Sequence, residues 1–159
     1  MGWSISRFSG EEILEIALQM EESGKLFYEK ALPYAESAAL KEMLIYLAEE
    51  ETKHLEAFRK LGEQLSYYFA PNERYVGEYG DYVKSLVNSH IFKISEAEDL
   101  VKAIKNDRDI LQFALRFEKD SIGIFQEFKN VANKAGADLI EQLIDEEKKH
   151  IRKIAALFP

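Results

Sequence analysis

The sequence predicts an all-α fold: a four-helix bundle built from two repeated helical hairpins, joined by a long crossover that carries short helices. Three observations lead there. Apolar residues recur at helical spacing in four long runs, with only 3 Pro and 8 Gly among 159 residues, a composition that favours long helices. The runs fall into two pairs around one irregular stretch of about forty residues. The two pairs also resemble each other in sequence.

Taken in order, Ser9-Gly10-Glu11-Glu12 has the form of a capping box and opens a first helix that runs to about Leu32 and yields near Pro33. Ser37 can cap a second helix from Ala38 to about Tyr67, in which Leu44, Leu47, Leu55, Phe58 and Leu61 keep a period near 3.5. Asp107 can cap a third, Arg108 to about Lys134, with Gly136 as its terminator, and a fourth fills Ala137 to about Leu157. Within the intervening segment, Ser95-Glu96-Ala97-Glu98 reads as another capping box opening a short helix to about Lys105. Asn72 can cap one through Asp81 to Asn88. The expected organisation is one domain over residues 1–159, with hairpins at about 10–66 and 107–158 and the crossover at about 67–106.

Composition excludes several classes of function. A net charge of -8 and a pI near 5.0, with no Lys/Arg cluster, argue against nucleic acid as a partner. With no cysteine, disulfides, thiolate metal sites, iron-sulfur clusters and cysteine nucleophiles are all excluded. No stretch approaches eighteen apolar residues and no apolar leader opens the chain, so no membrane association and a cytoplasmic location are expected.

The internal repeat is specific. Ile13 to Glu21 aligns with Ile110 to Glu118 at an offset of 97, with five of nine positions identical. Leu47 to His54 aligns with Leu143 to His150 at an offset of 96, with five of eight identical. The seam each helix would turn to the core can then be written down. The first gives Leu14, Ala17, Glu21, Gly24, Tyr28 and Ala31; the second gives Leu44, Leu47, Glu51, His54, Phe58 and Leu61. The third gives Leu111, Ala114, Glu118, Ser121, Phe125 and Phe128; the fourth gives Ile140, Leu143, Glu147, His150, Ile154 and Leu157.

Four glutamates and two histidines thus fall at similar heights on four otherwise nearly apolar seams. Burying four carboxylates costs several kcal/mol each unless cations compensate them, and no Lys or Arg lies on these seams. Two divalent metals would balance the charge, with two neutral imidazoles completing the set. Glu51/His54 and Glu147/His150 are three apart on helices, so each pair can grip the same site. Oxygen ligands with imidazole suit iron or manganese. Glu22 is the alternative ligand on the first helix, but it aligns with Lys119 in the repeat, whereas Glu21 aligns with Glu118.

These residues resemble the rubrerythrin-like branch of the ferritin-like di-iron carboxylate proteins, over nearly the whole chain. The resemblance implies two iron ions, or manganese or a mixed pair, with Glu51 and Glu147 bridging and Glu21, Glu118, His54 and His150 as terminal ligands. It implies oxidoreductase chemistry with H2O2 or O2 and an external electron donor such as a rubredoxin. Two departures bear on this: Ser121 stands where rubrerythrin proper has a further glutamate, and the cysteine-ligated rubredoxin domain of that enzyme has no counterpart here. The rival functional reading is an iron-binding, ferroxidase or storage protein without efficient turnover; a third is a bundle metallated for stability alone.

Other residues carry expectations of their own. Glu50 and Glu146, one turn before the histidines, could accept their second N–H. Tyr28 could hydrogen-bond a ligand or relay an electron, which with Glu51 and Glu147 makes it a candidate catalytic residue. Ala17, Gly24, Ala114 and Ser121 could leave room for a small oxidant or could serve close helix packing. His90 stands alone in the crossover. The crossover aromatics Tyr68, Tyr75, Tyr79 and Tyr82, with Ile91 and Phe92, suggest a homodimer interface.

Overall fold

Capping chemistry and apolar periodicity set the helices of the computed structural model, which describes residues 10–64 and 97–159. In order these are α1 (Gly10–Ala31), a 3-10 turn (Leu32–Tyr34), α2 (Ala38–Glu63), α3 (Ala97–Lys102), α4 (Asp107–Val131) and α5 (Lys134–Ala156). The described residues hold no strand, and the fold is all-α, as the sequence predicts. None of their helices is long and apolar enough to cross a membrane.

Pro33 lies within the 3-10 turn after α1, where its missing N–H ends the α-helical ladder. Ser37, extended at φ -78° and ψ 142°, caps α2 by accepting from the Leu40 N–H at 3.2 Å. The end of α2 comes at Glu63, short of the expected Tyr67, because the Gln64 backbone leaves helical geometry at ψ 37°. The expected caps at Ser9, Asn72 and Ser95, the helix from Asn72 toward Asn88, and His90 lie outside the described residues.

Two boundaries of the second hairpin differ from expectation. Asn106, not Asp107, caps α4: its side chain accepts from the Asp109 N–H at 3.0 Å. Asp107 instead reaches across the bundle end and accepts from the Glu36 and Ser37 N–H groups at 2.7 and 2.9 Å. At the other end, Gly136 does not stop α4. Ala132 turns extended, Asn133 caps α5 by accepting from the Gly136 N–H at 2.9 Å, and Gly136 is buried in the first turn of α5. An N-cap asparagine three residues ahead satisfied an amide that a left-handed glycine would otherwise have signalled.

Packing follows the seams. The hairpin α1/α2 and the hairpin α4/α5 each pack along their lengths, and they join mainly through α1 against α4, while α2 and α5 meet at few positions. One apolar layer contains Ile13, Ala17, Phe58, Leu61, Phe125 and Ile140. The other contains Phe27, Leu44, Leu47, Ile110, Phe117 and Ile154. Burial of each large side chain is worth roughly 1.5–3 kcal/mol, and between the two layers lies a belt of buried polar residues.

Candidate metal centre

Every helix of the bundle contributes to that belt from the middle of its inward face. Glu21 on α1, Glu51 and His54 on α2, Glu118 and Ser121 on α4, and Glu147 and His150 on α5 are at most 1% exposed. The three-residue spacing of each Glu-x-x-His places carboxylate and imidazole on one face, as expected. Glu22, one residue off the seam, is exposed and lies 3.7 Å from Arg59.

The six expected ligands converge as two overlapping quartets. Glu21, Glu51, His54 and Glu147 offer four ligand atoms within 4.8 Å of one another, and so do Glu51, Glu118, Glu147 and His150. Glu51 and Glu147 belong to both. His54 Nδ1 lies 2.8 Å from Glu147 Oε1, 3.4 Å from Glu21 Oε2 and 3.9 Å from Glu51 Oε2. His150 Nδ1 lies 3.4 Å from Glu118 Oε2 and 3.4 Å from Glu147 Oε2. The two imidazoles stack with centroids 5.6 Å apart.

The electrostatics show what such a cluster demands. Burial lifts the Glu21 carboxyl above the ordinary carboxylate range against the opposing pull of His54. Burial and then the charge of Glu147 lift Glu118 well above it. At Glu147 burial pushes the same way, but Glu118 and the two histidines outweigh it and hold its carboxyl below the ordinary value. Burial would lower both histidines, yet the contacts of His54 with Glu146, Glu147 and Glu21 raise it, and Glu118 and Glu147 push His150 up to about 10. In the metal-free cluster these shifts favour the protonated forms of Glu21, Glu118 and both imidazoles, the direction that offsets buried negative charge.

Protons leave the cluster incomplete. Both oxygens of Glu21, Glu51 and Glu147 are buried without a hydrogen-bond partner, as are His54 Nδ1, His150 Nε2 and Ser121 Oγ. A buried acceptor left unmade costs about 1–3 kcal/mol, more when charged. Six orphaned carboxylate oxygens beside imidazole nitrogens fit a pair of divalent cations with oxygen and nitrogen preference.

The surrounding residues differ in part from expectation. Tyr28 is fully buried and donates from its hydroxyl to Glu118 Oε1 at 2.7 Å. Burial, then the Glu118 charge, raises the phenol well above its usual value, so it stays a donor. Glu146 works crosswise rather than on its own helix, 2.8 Å from His54 Nε2 on α2, while Glu50 of α2 faces His150 Nε2 on α5 at 3.8 Å, too far to accept its N–H. Sequence spacing could not reveal this, because the stagger of α2 against α5 sets it. Gly24 leaves no room for an oxidant; a Cβ there would fall 2.1 Å from Phe117 Cζ. Sequence reasoning also missed Tyr46, whose ring meets His150 edge-on at 5.8 Å.

This fold and this layer define a class: an all-α ferritin-like bundle with clustered carboxylate and imidazole ligands suited to a dinuclear metal site. The Rubrerythrin family profile matches residues 12–104, 93 of the 159 residues, and the chain belongs to that family. The match spans α1, α2, the crossover and α3, so Glu118, Glu147 and His150 stand on the internal repeat and the geometry. A crystal structure of a ferritin-like diiron-carboxylate protein from Thermotoga maritima is similar, with a TM-score of 0.68, 26% identity and 94% of each chain covered. No protein of curated function matches the chain.

Proposed function

We propose that this chain is a di-iron carboxylate oxidoreductase that reduces H2O2 or O2 with electrons from a separate donor. The two buried quartets sharing Glu51 and Glu147 carry the reading, because a pair of carboxylates common to both clusters is what two adjacent cations require. Glu21 and His54 would complete one position, Glu118 and His150 the other. Ferrous ions held there would supply two electrons, enough to convert one H2O2 and two protons into two waters.

The chain's own residues prepare that chemistry. Tyr28 holds Glu118 in one orientation through its 2.7 Å hydrogen bond and is the candidate proton or electron relay beside the cluster. Glu146 turns His54 so that Nδ1 faces the inner carboxylates. The apolar layers on both sides exclude bulk water and strengthen every charge interaction between them. Electrons would come from outside, since the 159 residues contain neither a cysteine for a rubredoxin-type iron nor a glycine-rich dinucleotide motif.

Ser121 supports a second reading. A carboxylate is expected there from the rubrerythrin resemblance, and a buried hydroxyl with no hydrogen-bond partner takes its place, which favours an iron-oxidising or storage protein without rapid turnover. Stopped-flow oxidation of the anaerobic di-ferrous protein, with H2O2 and O2 at equal concentration, separates the two. Faster oxidation by H2O2 and reduction by an external carrier support the reductase. Comparable rates with iron uptake beyond two ions per chain support storage.

A further inference from the structure

Both histidines present one ring nitrogen to the inner carboxylates and the other to a second pair of carboxylates on the outer side. His54 Nδ1 is 2.8 Å from Glu147, while its Nε2 is 2.8 Å from Glu146. His150 Nδ1 is 3.4 Å from Glu118, while its Nε2 is 3.8 Å from Glu50. The imidazoles therefore form a partition. Glu50, His54 and His150 together offer three ligand atoms within 4.8 Å, a third grouping that shares one histidine with each inner quartet and adds Glu50.

We propose that Glu50, Glu146 and the outward nitrogens of His54 and His150 form a loading site, where a divalent cation is held before it passes to the inner carboxylates. The inference rests on the dinuclear reading above and adds the route by which that centre fills.

The unpartnered atom on this outer side is His150 Nε2. His150 is 1% exposed, and Nε2 has no hydrogen-bond partner. Its distance of 3.8 Å from Glu50 Oε2 is too long for a hydrogen bond. It is within twice a metal–ligand length of about 2.1 Å, so one cation can touch both atoms. Glu50 has an oxygen to give, because Lys53 engages Oε1 at 2.6 Å and leaves Oε2 facing His150.

Solvent reaches Glu50, His54 and Glu146 on this side, with His150 behind them. Between α2 and α5 lies a groove of about 740 Å³ whose lining includes Glu50, Lys53, His54, Lys60, Glu63 and Glu146. The Glu146 side chain is 43% exposed, whereas the inner ligands are sealed. A hydrated ion thus meets Glu146 and Glu50 before any inner carboxylate. A neutral imidazole has one lone pair, so it ligates either outward or inward at any moment, and access from the groove puts the outward position first.

The test follows Co(II) uptake by the metal-free full-length chain, mixed anaerobically in a stopped-flow instrument and read by visible absorption, with equilibrium metal content measured separately. Glu50→Gln and Glu146→Gln should each slow loading by about tenfold, while saturating Co(II) still reaches two ions per chain. Glu50→Asp should recover part of the rate. Glu56→Gln, which removes an exposed charge from the same helix, should load at the wild-type rate. Thermal melts establish that each variant is folded. An unchanged rate in folded Glu50→Gln overturns the loading site and leaves the dinuclear reading standing, and so does equal slowing in Glu56→Gln. Failure of the wild type to bind two ions at saturation overturns the dinuclear reading, and the loading site with it.

Discussion

At the scale of single residues, the two positions shared by the quartets separate from their neighbours. Glu51→Ala or Glu147→Ala removes a carboxylate common to both quartets and, on the dinuclear reading proposed above, should leave less than one tightly held ion per chain. Glu22→Ala, on an exposed side chain, should leave two. Metal analysis after gel filtration decides, and full occupancy in both bridging variants would sink the assignment. Tyr28→Phe tests the support of a ligand rather than a ligand itself. It strands Glu118 Oε1 without its donor in a fully buried site, at a cost of about 1–3 kcal/mol in the metal-free protein. Urea unfolding of chelated protein reads that loss, and a difference near zero would mean that Glu118 has another partner.

At the scale of elements, the hairpins are joined at contacts with little tolerance. α1 approaches α4 where Gly24 faces Phe117, and a methyl group there meets the ring at 2.1–2.9 Å. Gly24→Ala forces Phe117 off its position, and overpacking of this kind costs typically about 1–3 kcal/mol even though alanine is the better helix former. Stabilisation by this substitution would show that the ring moves freely. The start of α4 holds the α1–α2 connection through the Asp107 carboxylate. Partial burial opposes its charge, but the Glu36 and Ser37 N–H groups outweigh burial and hold its carboxyl below the usual value. A lowered folded pKa means that the contribution is present above the unfolded value of about 3.8 and is lost as pH falls through the folded one. Asp107→Ala should therefore cost about 1 kcal/mol at pH 7, and less by pH 3. Chemical denaturation at both pH values checks the sign.

At the scale of the whole molecule, the dinuclear reading proposed above ties stability to metal. Chelation leaves six carboxylate oxygens orphaned between two apolar layers, and bound metal stabilises only the folded state, so complete removal should lower the melting temperature by several degrees. An unchanged melt after verified removal would point to a solvated site. Our reading also includes a single domain over residues 1–159, a cytoplasmic location and a homodimer formed through the crossover aromatics, which lie outside the described residues. Sedimentation at micromolar concentration should show a dimer; monomer alone rejects it.

Periodicity and repetition made much of this molecule legible from its sequence. The four seams are nearly all buried, because an amphipathic helix in a bundle can hide only one face. The repeat placed Glu21 with Glu118 and each Glu-x-x-His with its mate, and all six meet within two quartets. Local cap chemistry was less legible at Asp107 and Gly136, where a neighbouring asparagine competed for the same amides. Only the tertiary structure decided what each small or polar neighbour does. Gly24 is filled by Phe117, Tyr28 reaches Glu118 ninety residues away, and Glu146 serves His54 rather than the histidine on its own helix. The physical reason is that a sequence determines which face of a helix turns inward, whereas the stagger and separation of packed helices determine which atoms meet across it.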